Sequence, residues 1–182
     1  MEPCILPVHG IHPQVDPTCW LAPNCTVVGD VVLGPESTVW FGAIVRGDVA
    51  PIRIGARVNI QDGAILHGTY ESSETHIEED ASIGHGAMVH GARIEAGALV
   101  GMGAIVMDHA VVGRGAVIAA GAVVLAGTQV PPGTLWAGVP ATLRGEAKES
   151  LQKQLSLTAA RYVRYADWFR ATSQDPEPPV LE

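Results

Sequence analysis

From Ile94 onward a large apolar residue returns at every sixth position: Ile94, Val100, Val106, Val112, Ile118, Val124, Val130 and Trp136. Four residues after each stands a compact one: Ala98, Ala104, Ala110, Ala116, Ala122, Thr128, Thr134 and Pro140. A period of six fits neither an α-helix at 3.6 residues per turn nor the two-residue alternation of a strand. It fits a short strand followed by a tight corner, repeated as the flat faces of a coil. The apolar residue points inward and stacks on its equivalent one coil away, while the compact one fits the corner. Glycines at Gly29, Gly34, Gly55, Gly84, Gly101 and Gly113 are expected to relieve the crowded backbone.

The same pattern opens the chain at Leu21, Val27, Leu33, Val39 and Val45, with Cys25, Val31, Ser37, Ala43 and Val49 as compact partners. It resumes at Ile54, Ile60 and Leu66, then at Ile83 and Val89. Three phase breaks interrupt it: Ala50 to Arg53, the polar run Thr69 to Asp80, and a single-residue slip before Ile94. The chain is therefore expected to be an all-β solenoid. Its hexapeptide-repeat signature resembles the left-handed parallel β-helix, a triangular prism with three hexapeptides per coil; the handedness comes from that resemblance.

Composition agrees with a repetitive core. The 182 residues include 21 Gly and 13 Pro, with 47 % hydrophobic but only 5 % aromatic side chains, so the core must be Val, Ile, Leu and Ala. After Gly145 the period changes. Leu151, Leu155, Tyr162, Ala166 and Phe169 recur at helical spacing with no Gly or Pro between them, which predicts one amphipathic helix packed on the prism. The expected organisation is a β-helix domain over 1–145, a C-terminal helix over 146–172, and a tail over 173–182 too polar and Pro-rich to order by itself.

A net charge of −8 argues against a nucleic-acid partner, which needs clustered Lys and Arg. Cys4, Cys19 and Cys25 match no metal spacing and form no even framework. They read as thiols in a reducing compartment. No run of about 18 apolar residues and no leader pattern occurs, so a cytoplasmic protein without a membrane partner is expected.

Seven histidines are present: His9, His12, His67, His76, His85, His90 and His109. His67 and His90 each follow an inward residue and so occupy the second slot of a hexapeptide; His85 occupies the third. All three turn to the outside of a prism face. Scattered surface histidines are the plain reading. Three imidazoles around an open position would instead suit a catalytic Zn²⁺ or Fe²⁺. Arg46 to Asp48 and Asn59 to Asp62 lie just upstream of His67 and offer supporting amides and carboxylates.

In this respect the sequence resembles the γ-class carbonic anhydrases, through "GDVVLGPESTVWFGAIVRGD" (Gly29 to Asp48), "VNIQDGAILHG" (Val58 to Gly68), "SIGHGAMVHG" (Ser82 to Gly91) and "VGMGAIVMD" (Val100 to Asp108). The ending "WAGVPA" is shared with hexapeptide acyltransferases and marks only the superfamily. The resemblance implies a homotrimer with Zn²⁺ (Fe²⁺ or Co²⁺ possible) held between neighbouring prisms, His67 and His90 coming from one and His85 from the next. It implies reversible hydration of CO₂ to bicarbonate by a metal-bound hydroxide. Gln61 would orient the hydroxide and Asn59 would bind CO₂ or bicarbonate. Arg46 and Asp48 would form an ion pair at the subunit junction, Asp62 would support the network, and Tyr162 would stand near the metal. Only Gly68 to Gly84 separates His67 from His85, a short span for a proton-shuttling acidic loop. Glu71, Glu74 or His76 are the groups available there. An acyl-CoA transferase or thioesterase, and a catalytically weak or silent assembly subunit, are the alternative readings.

Overall fold

The computed structural model describes residues 2–170. The expected tail over 173–182 and the last two residues of the expected helix lie outside them. The described chain is a parallel β-solenoid of about seven turns closed by one helix. Its strands stack into three faces. Face one is the column Trp20–Leu21, Thr38–Val39, Asn59–Ile60, Ser82–Ile83, Leu99–Val100, Val117–Ile118 and Thr134–Ala137. Face two holds Ile65–His67, Met88–His90, Ile105–Val106 and Val123–Val124; face three holds Thr75–Ile77, Arg93–Ile94, Val111–Val112 and Gln129–Val130. The long strands Thr26–Leu33 and Ile44–Ile54 bend across one corner and join faces two and three into a single sheet.

The six-residue period produces this because each inward residue lands on its equivalent in the next coil. Val27, Val45, Leu66, Val89, Val106 and Val124 form one such column, all with no exposed surface. Each buried aliphatic of this size contributes ~1.5–3 kcal/mol, so a continuous column replaces the aromatic cluster of an ordinary core. Glycine is required where coils approach closest. A Cβ on Gly84 would stand 2.7 Å from the backbone N of Met102 in the coil below.

Two phase breaks resolve differently from the sequence reading. The first is a bulge within Ile44–Ile54: Gly29 pairs with Gly47 and Val31 with Ile52, so extra residues loop out between. Val49, expected as a compact corner residue, lies in this bulge and is 36 % exposed; Ile52 takes the buried place. The second break is shorter than Thr69 to Asp80. Thr75–Ile77 is a strand of face three, and Ile77 is buried in register with Ile54 and Ile94.

At the far end Thr134–Ala137 pairs antiparallel with Thr142–Glu146, a hairpin that the repeat did not foretell. Helix α1 (Glu149–Arg170) then runs back along face one. It buries Leu155, Ala159 and Ala166, and its Tyr162 and Phe169 rings meet Trp40 and Trp20 at 5.2 Å between centroids. Because α1 covers face one, polar residues in its outward slots, including Thr38, Asn59 and Ser82, are buried. Among the described residues no helix is long and apolar enough to cross a membrane.

Candidate metal centre

His67 and His90 end the face-two strands of adjacent coils and pair directly in register. Each follows an inward residue, Leu66 or Val89, so the strand alternation turns both imidazoles outward. Their rings stand 5.1 Å apart, with His67 Nδ1 3.2 Å from His90 Nε2. A carboxylate backs each ring from the other side. Asp48 Oδ1 lies 3.0 Å from His67 Nε2, and Arg46 anchors Asp48 through a 2.5 Å ion pair. Both Asp108 oxygens lie 3.1–3.2 Å from His90 Nδ1.

These carboxylates are held ionised. Partial burial pushes the Asp108 carboxyl up, but hydrogen bonds from Ser73, Thr69 and His90 outweigh it and bring its pKa down to about 2. For Asp48, partial burial also raises the value, and Arg46 and His67 more than reverse it. An ionised carboxylate only accepts hydrogen bonds. Each imidazole therefore turns an N–H toward its own carboxylate, and a neutral pair leaves two bare nitrogens facing each other across 3.2 Å. Two lone pairs at that distance repel unless a cation lies between them. Two nitrogens bound to one tetrahedral Zn²⁺ at ~2.0–2.1 Å would be about 3.3–3.4 Å apart. The donor set fits half of such a site.

His85 is placed elsewhere, at the turn between Ser82–Ile83 of face one and Met88–His90 of face two. Its Nδ1 is 2.8 Å from Asp62 Oδ2, and its Nε2 lies 3.5 Å from the Tyr162 hydroxyl. Burial, reinforced by Asp62 and Tyr165, pushes the Tyr162 phenol up to about 12, so this hydroxyl keeps its proton. Gln61 Nε2 donates to Asn59 Oδ1 at 2.9 Å, and Asn59 Nδ2 donates to Ser82 Oγ at 2.8 Å. Gln61 and His85 share the lining of a cavity of about 330 Å³ with Met102, Leu155 and Thr158.

One chain thus brings together His67, His90, Asp48 and Arg46, and separately His85, Gln61, Asn59 and Tyr162. Among the described residues of a single chain, no group of three or more His, Cys, Asp or Glu converges to hold an ion. Asn59 has no exposed surface in this chain, and its amide accepts from Gln61 and donates to Ser82. Glu74 and His76 pair with each other, His76 being in the strand Thr75–Ile77 of face three and not on the face of His67 and His90. Asp108 ends the motif Val100 to Asp108, and the motif by itself assigns it no role. Register counting finds it: Val89 lies over Val106, which puts His90 over Met107 with Asp108 next.

The sequence matches the family model "Bacterial transferase hexapeptide (six repeats)" over residues 91–126. It is 39 % identical over 170 residues to the carbonic anhydrase of Geobacillus kaustophilus (strain HTA426), covering 93 % of both chains. It is 36 % identical over 167 residues to gamma carbonic anhydrase 2, mitochondrial, of Arabidopsis thaliana, covering 89 % of this chain and 60 % of that one. Similarity to the uncharacterized transferase YtoA of Bacillus subtilis (strain 168), 48 % identical over 90 residues, spans 52 % of that protein. Among solved structures, a putative acetyltransferase from Bacillus cereus superposes with a TM-score of 0.90 at 35 % identity, covering 93 % of this chain and 98 % of that one.

Proposed function

The chain belongs to the γ-class carbonic anhydrase family, and on that premise we propose that it catalyses the reversible hydration of CO₂ to bicarbonate. The reaction would occur at a divalent ion held between copies in a cytoplasmic homotrimer. His67 and His90 of one copy and His85 of the next hold the ion, with Zn²⁺ the first candidate and Fe²⁺ or Co²⁺ alternatives. The observation that carries this reading is the pair of facing imidazole nitrogens, His67 Nδ1 and His90 Nε2, 3.2 Å apart with a carboxylate behind each ring. A bound ion supplies a Lewis acid that makes hydroxide available near neutral pH.

The chain's own groups do the rest. Asp48 and Asp108 fix the two rings, and Asp62 fixes His85 through Nδ1, leaving Nε2 on the side of the Tyr162 hydroxyl. Gln61, steadied by Asn59, offers its amide to a water or bicarbonate oxygen in the cavity beside His85. The Tyr162 hydroxyl, protonated throughout the physiological range, donates a hydrogen bond there. Arg46 adds a half-exposed positive charge beside His67 that favours an approaching anion. The outward slots of face two carry Ile44, Ile65, Met88, Ile105 and Val123, an apolar column that a neighbouring prism would cover.

A second reading, acyl transfer from CoA, is favoured by the likeness to the putative acetyltransferase from B. cereus and by the match to the bacterial transferase hexapeptide family model. Elemental analysis of protein purified without added metal, with stopped-flow CO₂ hydration on the same sample, separates the two. We expect close to one ion per chain, and loss of both ion and hydration in His90→Ala. A metal-free trimer that binds CoA would overturn the hydration reading. A metal-free trimer that binds neither would indicate an assembly subunit.

A further inference from the structure

The polar run after His67 interrupts the coil, and its hydroxyls converge on one place. Thr69 Oγ1 donates to Asp108 Oδ1 at 2.8 Å, and the Ser73 hydroxyl donates to the same oxygen. Ser73 Oγ also accepts the Thr69 N–H at 3.2 Å. Thr75 Oγ1 donates to the His67 carbonyl at 2.5 Å and accepts the Gly91 N–H at 3.0 Å, which ties together the chain beside the two rings. Ser73 and Thr75 are buried. Gly91, the residue after His90, has φ +57°, and a Cβ there would stand 2.0 Å from Ser73 Oγ and 2.4 Å from Asp108 Oδ1. Only glycine leaves room for this cluster.

We infer that Asp108, locked by Thr69 and Ser73, is a positioning residue that holds His90 in its Nδ1–H tautomer and so keeps Nε2 bare toward His67. The run between His67 and Thr75 is then a latch for the carboxylate that backs the His90 imidazole. Without Asp108, the nearest acceptor for the His90 proton is the bare Nδ1 of His67, 3.2 Å away, and the proton moves to His90 Nε2. That nitrogen can no longer donate a lone pair to an ion. The consequence for metal rests on the proposed function; the tautomer does not.

The test uses metal-free protein carrying ¹⁵N-labelled histidine, at a pH about two units above the ordinary imidazole pKa. Long-range ¹H–¹⁵N correlation reads which His90 nitrogen is protonated: Nδ1 in the native chain, Nε2 in Asp108→Ala. Zn²⁺ affinity by chelator competition should fall about 10–100-fold in Asp108→Ala. Ser73→Ala should show a smaller loss in the same direction, which keeps the test available if Asp108→Ala fails to fold. Asp108→Asn, which retains an acceptor, should recover part of both signals. An unchanged Nδ1–H tautomer in Asp108→Ala would overturn the inference, even if thermal stability dropped; where that variant does not fold, an unchanged Zn²⁺ affinity in Ser73→Ala would overturn it. If the native chain bound no Zn²⁺, the metal reading would fall while the tautomer still decided this one.

Discussion

Asn59 shows how the fold sets the surroundings of a proposed site residue. The resemblance places it beside the substrate, yet its side chain has no exposed surface and bonds only within the row Gln61–Asn59–Ser82. Its burial comes from α1 lying over face one, a tertiary fact absent from the local motif. Asn59→Ala leaves a buried hydroxyl and a buried amide unpaired, each a desolvated group without a partner. We expect a loss of ~1–3 kcal/mol in stability, read by denaturant melts of the metal-free protein. We also expect slower hydration with metal content unchanged, since Gln61 loses its orientation while the imidazoles do not. Unchanged stability would contradict the row. Asp108 was missed for a related reason: it meets His90 across a coil boundary, through a register that a single-residue slip displaces.

At the scale of elements, the regular half of the prism was legible because two linked positions repeat without interruption from Ile94. The irregular half was legible only in phase. Counting on from Val45 runs into the bulge: the compact place four residues on falls on the exposed Val49 and the apolar place six residues on falls on Pro51, while Ile52 holds the core. Thr75–Ile77 is too short to show alternation inside a polar run, although Ile77 lies six residues before Ile83. Face three is stitched by Glu78, which accepts from Arg93 and from the Ala96 N–H at 3.1 Å and so joins adjacent coils. Partial burial raises its carboxyl, but Arg93 and Ala96 dominate and hold it below the usual range. A folded-state pKa below the unfolded value stabilises the fold above the unfolded glutamate pKa, ~4.3, and that support is lost as pH falls through the folded value. Glu78→Gln should cost ~1 kcal/mol or less at neutral pH, because the ion pair is partly solvated. It should also flatten the stability curve below the ordinary glutamate range. Acid unfolding followed by circular dichroism checks this; a parallel acid limb in native and variant protein would remove Glu78 from the account.

For the molecule as a whole, a single chain carries two unlike histidine clusters on different parts of the prism. His67 and His90 lie together on face two beside an apolar column, while His85 stands at the next corner with Gln61 and Tyr162. That division was legible from the slots alone, since His85 and His90, five residues apart, point in different directions. Which copy completes which site requires the assembly. Subunit complementation tests the central claim most directly. His85→Ala and His90→Ala chains are co-expressed, and Zn²⁺ content is measured on the mixed protein. If each ion takes His67 and His90 from one copy and His85 from the next, either variant alone holds almost none, and random mixing restores about a quarter of the sites. A mixture that holds no more Zn²⁺ than the separate variants would contradict a site shared between copies.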